Sequence, residues 1–248
     1  MREETQAHYD RLADRYDENW AYGPDFIAWM TGCILSRLDL SSGDRAADIG
    51  CGTGLYAKSL AGQAERVVCA DPSAKMLEQL PKDEAYVPVQ ASAEDVVSGD
   101  VRLPYERFDA VLVKEAIHHV GDRPAVLDGL AGLLAPGGRL LVVMLPTRID
   151  YPLFADALEL FERLQPDSAD VAAELRQAGL EVELTYDSFP LSFSKERYLA
   201  MVRSRYMSLL SSFDDQQIEQ GIAEIDARYP GDRLGFSDRF AFVRGVRA

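Results

Sequence analysis

The chain has 248 residues, 47% of them apolar and 27% charged, which describes one ordinary globular domain or a domain carrying an inserted sub-domain. Asp and Glu number 41 against 26 Lys and Arg, and a net charge of −15 argues against a surface that neutralises nucleic-acid phosphates or lies on a membrane. Cys33, Cys51 and Cys69 have no CxxC spacing, and no His/Cys set has ligand spacing, so no disulfide framework and no metal site are expected. The opening MREETQAHYD is polar and no apolar run reaches about 18 residues, so a cytoplasmic protein without signal peptide or membrane span is expected.

Residues 3–19 and 25–38 read as helices, the second apolar at Phe26, Met30, Ile34 and Leu38. From 44 to 145 short apolar runs alternate with helical ones. Strands are expected at 45–50, 66–71, 85–90, 108–113 and 139–145. Helices are expected at 56–62, at 73–80 with Ser73 as N-cap, and at 124–134, opened by Asp122 and Pro124 and ended by Pro136-Gly137-Gly138. Strands without interior polar residues are covered on both faces, so the pattern predicts an α/β fold with a doubly wound, mostly parallel sheet. Helices follow at 150–163 and 168–179, then a strand at 180–186, a long helical segment at 194–228 and an aromatic strand at 236–243. The expected division is an N-terminal helical cap (1–40), a core (41–146), a helical insertion (147–179) and C-terminal strands (180–248) interrupted by a helical lid at 194–229.

The sharpest motif is Asp48-Ile49-Gly50-Cys51-Gly52-Thr53-Gly54, set between a strand and a helix. Its glycines permit a tight turn and close approach of a ligand to the backbone. A dinucleotide fingerprint needs G-x-G-x-x-G, and here the third glycine arrives one residue early. Asp48 would also repel a pyrophosphate seated on the following helix, whereas it suits a cation. S-adenosylmethionine carries a sulfonium, an ammonium and a ribose but no phosphate, and Asp71 at the end of the second strand can accept the ribose hydroxyls.

DIGCGTG, DPSAKML, FDAVLVKEAIHHV and LLAPGGRLLVV, taken in order, resemble the successive motifs of class I S-adenosylmethionine-dependent methyltransferases, more closely the UbiE-like or methyltransferase type 11 branch acting on small molecules. The resemblance is strong over about 44–145. It implies a Rossmann-like, seven-stranded sheet whose last strand is antiparallel, with S-adenosyl-L-methionine as cofactor and S-adenosyl-L-homocysteine as product. It also implies cofactor contacts at Gly50, Gly52 and Gly54, at Asp71, at the Ser92-Ala93-Glu94 turn for adenine, and at the Lys114 carbonyl for the cofactor's amino group. Relatives commonly have Gly-Asp-Ala-Glu where this chain has Ala91-Ser92-Ala93-Glu94, which changes the side chain offered to the adenine amine. The segment from Tyr9 to Asp17 is similar to the branch's YDxxAxxYD element, which suggests Tyr16 as donor to the cofactor carboxylate. Tyr9, Trp20 and Tyr22 are candidate substrate-pocket residues.

Ligands of open α/β sheets lie past the C-terminal strand ends, so Glu115, His118 and His119, after the fourth strand, are the candidates for acid–base chemistry. Arg203, Arg205 and Tyr206 are candidates for holding an anionic acceptor such as a carboxylate or prenyl diphosphate, the alternative being a solvated helix face paired with nearby acids. The expected activity is methylation of a small metabolite on O, N or C, with secondary metabolism attractive. The competing readings are a non-methylating cofactor-binding protein on the same scaffold and, less favoured, an NAD-dependent oxidoreductase. Small-molecule partners, a monomer or homodimer, and no nucleic acid complete the expectation.

Overall fold

In the computed structural model, residues 23–248 are described, so the helix expected at 3–19 and the candidates Tyr9, Tyr16, Trp20 and Tyr22 lie outside the described residues. Helix α1 (Pro24–Leu38) buries Phe26, Met30, Ile34 and Leu38, the four positions its 3.6-residue periodicity marks. Seven strands then form one sheet: β1 (Arg45–Ile49), β2 (Arg66–Asp71), β3 (Tyr86–Gln90), β4 (Phe108–Lys114), β5 (Leu134–Met144), β6 (Leu180–Ser194) and β7 (Arg233–Arg247). Their order is β3-β2-β1-β4-β5-β7-β6. Strands β1 to β5 pair in parallel, and β7 runs antiparallel to β5 from Arg139↔Val246 to Met144↔Ala241. Pro88 interrupts β3 without cost to the ladder because that strand is an edge.

Helices α2 (Ala57–Ala61), α3 (Ala74–Leu77), α4 (Ala93–Ser98) and α5 (Arg123–Gly132) connect the parallel strands. Beyond β5 come α6 (Ala155–Leu164), α7 (Ser168–Gln177), α8 (Lys195–Arg203) and α9 (Asp215–Arg228). Alternate side chains divide each central strand between two faces. Ala47, Ile49, Val68, Ala70, Val111 and Val113 face the core formed with α5 and α7. On the other side α1 and α2 cover β5 and β2. The sheet is thus wound on both faces, as the uninterrupted apolar strands predict.

The chain divides into two compact units. One holds the described residues to Met144, Asp167–Thr185 and Ala241–Ala248; the other holds Leu145–Pro166 and Tyr186–Phe240. The second unit has an aromatic interior in which Tyr151 donates to the buried Asp238 carboxylate at 2.8 Å and the Tyr198 and Tyr206 hydroxyls are 3.1 Å apart.

Several expected boundaries move. The helix expected at 124–134 ends at Gly132, and β5 starts at Leu134 with Pro136-Gly137-Gly138 inside it. These residues fill an irregularity between the pairs Phe108↔Leu134 and Ala110↔Arg139, so the turn signal marks a bulge within the strand. The helix expected at 150–163 begins only at Ala155. The segment 194–228 is two helices joined by a turn and a 3₁₀ stretch, Ser208–Ser212, because the backbone at Arg205 is left-handed (φ 57°). Both C-terminal strands are longer than expected, and α4 is a helix the periodicity missed.

Among the described residues no helix is long and apolar enough to cross a membrane. The end of α1 is clasped by arginines: Arg139 donates to the Leu38 and Asp39 carbonyls at 2.7 Å each and to Asp44 at 2.8 Å, and Arg244 donates to the Arg37 carbonyl at 2.6 Å. Removing a partner from the part-buried Leu38 carbonyl and the part-buried Asp44 carboxylate costs more than breaking an exposed ion pair. In urea denaturation, Arg139→Ala should lose about 1–3 kcal/mol, whereas Arg148→Ala, which breaks the exposed Arg148–Glu162 pair, should change stability by less than about 0.5 kcal/mol. Equal effects would contradict this account of the clasp.

Candidate functional site

The ends of β1, β2 and β4 and the start of α4 surround a cleft of about 820 Å³, open to solvent, in the first unit. Parallel strands deliver their C-terminal ends to one edge of the sheet, which is why residues distant in sequence meet there. From the expected set the cleft is lined by Gly50, Gly52, Asp71, Ser92, Ala93, Glu94, Lys114, Glu115 and His119. Much of the remaining wall is apolar, with Ile49, Pro72, Met76, Val113, Ile117, Val120, Val126 and Leu130. Sequence reasoning assigned these to strands, helices and core; their place around one cleft follows from the crossovers, not from any local signal.

The glycine loop is left-handed at Gly50, Gly52 and Gly54 (φ 76°, 55° and 74°). At Gly50 a Cβ would stand 2.5 Å from the Ala116 Cβ, so a side chain there would separate the loop from the turn after β4. At Gly52 a Cβ would meet nothing within 4 Å and would project into open space instead. Gly50 therefore closes the loop against the protein, and Gly52 leaves a bare backbone cradle on the cleft.

Asp71 ties this cradle to β2. One carboxylate oxygen accepts from the Gly52 N–H and the other from the Ser73 N–H, both at 2.9 Å. Ser73 in turn accepts from the Met76 N–H as the expected N-cap of α3. At the next turn Ser92 caps α4 in a reciprocal box with Asp95: its hydroxyl donates to the Asp95 carboxylate at 2.7 Å and accepts from the Asp95 N–H at 3.1 Å. The Ser92 N–H, at 2.9 Å, and then the Ser92 hydroxyl, both donating to it, hold the Asp95 carboxyl below the usual carboxylate range. Glu94 accepts from the Gly121 N–H at 3.1 Å, joining this turn to the segment after β4.

After β4 the chain turns sharply. Glu115 adopts φ 53°, costly for a residue with a side chain, and is held by a 2.8 Å bond from its N–H to the Val143 carbonyl. His119 reaches the cleft wall, while His118 lies behind it, the two rings 4.0 Å apart. The His118 Nδ1 is shielded and has no hydrogen-bond partner among the described residues. Burial, then His119 and Lys114, push this imidazole well below its usual range, so His118 is neutral at pH 7.

Other expected site residues lie elsewhere. Asp48 and Gly54 are not on the cleft wall; Asp48 is buried at 3% exposure and Gly54 packs toward Leu80. Arg203 forks onto Glu219 at 2.6 and 2.9 Å, and Arg205 donates to Asp215 at 2.8 Å and to the Phe213 carbonyl at 3.1 Å. Tyr206 is buried against Tyr198. The second unit thus engages both arginines with its own acceptors, the solvated-face arrangement that stood as the alternative.

Burial, reinforced by the Asp71 charge and opposed by Lys114, pushes the Asp48 carboxyl from 3.8 up to about 7. Between those values the folded chain keeps a proton that the unfolded chain gives up, so this group's contribution to stability falls as pH rises through that window. Urea denaturation at about pH 5 and about pH 8 should find the wild type losing more stability over the interval than Asp48→Asn, which has no carboxyl to ionise. Equal losses would contradict the assignment.

Residues 47–142 match the family model described as a methyltransferase domain. An uncharacterised methyltransferase of Mycobacterium tuberculosis is 37% identical over 140 residues, 56% of this chain and 59% of that protein, so the chain spans about three fifths of that relative's length. The 27-O-demethylrifamycin SV methyltransferase of Amycolatopsis mediterranei is 31% identical over 208 residues, covering 72% of this chain and 74% of the relative. Among solved structures, a Haemonchus contortus phosphoethanolamine N-methyltransferase 2 in complex with phosphomonomethylethanolamine and S-adenosylhomocysteine shares the fold. Its TM-score is 0.61 at 18% identity, over 98% of this chain and 60% of that one. With the glycine loop, the strand order and the cleft in place, these matches make the chain a member of the class I S-adenosylmethionine-dependent methyltransferase family.

Proposed function

We propose that the protein transfers the methyl group of S-adenosylmethionine to a hydroxyl oxygen of a small-molecule acceptor. The observation that carries this reading is one cleft with two chemically different ends: the bare Gly52 cradle beside the Asp71 carboxylate, and Glu115 with His119 on the turn after β4. The donor set fits the cofactor. The bare backbone at Gly52 lets its amino-acid part approach closely, each Asp71 oxygen keeps lone-pair capacity for ribose hydroxyls, and Met76, Ile117 and Val120 offer apolar walls to adenine. In this reading Gly50, Gly52, Asp71, Ser92, Ala93, Glu94 and the Lys114 carbonyl hold the cofactor. When bound, it supplies an electrophilic methyl on a sulfonium.

The protein's share of such a displacement is to hold the acceptor oxygen in line with that methyl and to receive the hydroxyl proton. His119, on the cleft wall, is the candidate base, and Glu115, on the same turn, is the candidate to orient it or the acceptor. Oxygen as the acceptor atom is supported by the rifamycin relative, whose name puts its substrate's missing methyl on an oxygen; the same name favours a role in secondary metabolism. An anionic acceptor has no support from Arg203 and Arg205, whose guanidinium groups already lie against Glu219 and Asp215.

Incubating the enzyme with methyl-deuterated cofactor and extracts rich in hydroxylated metabolites should give, by mass spectrometry, a product carrying one trideuteromethyl group on oxygen. Tight binding of S-adenosylhomocysteine with no labelled product across a broad panel would favour the non-methylating reading instead. Asp71→Ala should weaken S-adenosylhomocysteine binding by about 1–3 kcal/mol in calorimetry, as expected for lost charge-assisted hydrogen bonds; unchanged affinity would overturn the cofactor assignment. With a labelled acceptor in hand, His119→Ala should lower kcat by about 10²–10⁴-fold without weakening cofactor binding, and an unchanged kcat would remove His119 from the chemistry.

A further inference from the structure

Among the described residues, three that are not glycine adopt left-handed backbone: Asp39 (φ 46°), Glu115 (φ 53°) and Arg205 (φ 57°). This conformation crowds Cβ against the chain and persists only where the surroundings impose it. Asp39 ends α1 with its N–H bonded to the Leu35 carbonyl, and aspartate is one of the residue types that tolerate the region. Arg205 directs its guanidinium to the Phe213 carbonyl at 3.1 Å and to Asp215 at 2.8 Å. Glu115 differs from both in its location: it lies on the wall of the cleft, one residue past β4.

The backbone is fixed on both sides of Glu115. Its N–H donates to the Val143 carbonyl at 2.8 Å, which continues the pairing of β4 with β5. Beyond it Ala116 lies against Gly50, and the buried Ile117 opens the 3₁₀ turn whose last N–H, from His119, bonds to the Ala116 carbonyl at 3.0 Å. These contacts impose the left-handed residue at position 115, a demand that glycine meets without strain. The chain instead carries there a carboxylate on a flexible arm, four residues before His119.

Asp71, Glu94 and Glu115 bring carboxylates to the cleft wall. Asp71 and Glu94 accept from the Gly52, Ser73 and Gly121 N–H groups and belong to the cofactor's end. Glu115 belongs to the other end, with His119. An ionised carboxylate only accepts hydrogen bonds, so the molecule it recognises must bring a donor. We propose that Glu115 selects the acceptor: its carboxylate takes a hydrogen bond from a donor group beside the hydroxyl that is methylated, so the acceptors are vicinal diols, catechols included, or amino alcohols with a protonated amine. The inference rests on the methyl-transfer reading above and adds the class of acceptor to it. One turn then carries both the group that receives the proton and the group that orients the molecule. An analogue without the second donor would leave the carboxylate shielded and unbonded in the complex, which is how a polar site rejects it.

The test has a stability arm and an acceptor arm. In thermal unfolding, Glu115→Gly should melt about 2–4 °C above the wild type, because glycine removes the strain. Glu115→Ala keeps the Cβ and should melt within about 1 °C of the wild type. A glycine variant that melts at or below the wild-type temperature would overturn the claim that this position holds a strained side chain for function. In the acceptor arm, products labelled from methyl-deuterated cofactor in the metabolite extract are fragmented by mass spectrometry. The trideuteromethoxy group is expected next to a hydroxyl or an amine; labelled products that all lack such a neighbour would overturn the proposal. No labelled product at all would overturn the methyl-transfer reading instead. With the labelled acceptor purified, Glu115→Ala should raise KM about 10–100-fold with a much smaller change in kcat, and an unchanged KM would overturn the proposal. Glu115→Gln keeps a neutral acceptor oxygen, so it should raise KM less than Glu115→Ala for a diol and about as much for a protonated amine.

Discussion

The Asp71 carboxylate grips two backbone N–H groups that belong to different connections: Gly52 in the loop after β1 and Ser73 at the start of α3. A carboxylate with both oxygens so engaged is fixed in orientation, and it fixes in turn the loop that forms the cradle. The rest of the site is assembled on this tie. Gly50 lets the loop lie against Ala116 after β4, and Glu94 reaches Gly121, so that the ends of three strands and the start of α4 share one rigid rim. Positioning of this kind is most of what methyl transfer demands of a protein, because the sulfonium is already a good leaving group.

The same region also buries ionisable groups. An overall charge of −15 first reads only as unsuited to phosphate surfaces. Within the fold, the excess acid has a local form in Asp48 and Asp71, both buried at the glycine loop, with Lys114 acting against them. Burial, reinforced by the Asp71 charge, raises the Asp48 carboxyl to about 7. The arginines that stand out in the sequence after Lys195 contribute nothing comparable, since Glu219 and Asp215 neutralise Arg203 and Arg205 within the second unit.

The central sheet was legible because each parallel strand is a continuous apolar run with a capped helix after it; Ser73 and Asp122 cap the helices they announce. Boundaries failed where a local signal served another purpose. Pro136-Gly137-Gly138 reads as a turn and is a bulge in β5, and the run from 194 to 228 reads as one helix until the left-handed backbone at Arg205 breaks it. Helix α4 is six residues long, too short to show a period, although its Ser92–Asp95 capping box was present to be read. In the site, motif residues such as Gly50, Gly52 and Asp71 could be named from spacing, whereas the apolar wall from Met76 to Leu130 could not, because nothing local distinguishes a valine that lines a cleft from one that fills a core. The separation of His119 on the wall from His118 behind it likewise depends on the 3₁₀ turn, Ile117–His119, that carries both.

A crystal structure of the protein with S-adenosylhomocysteine bound tests the central claim most directly. The account predicts the ribose hydroxyls on the Asp71 carboxylate, the amino-acid part over the Gly52 backbone and the adenine against the Ser92-Ala93-Glu94 turn, with Asp71 still bonded to Gly52 and Ser73. Ligand density away from the Asp71 carboxylate, or a glycine loop released from it on binding, would contradict the account.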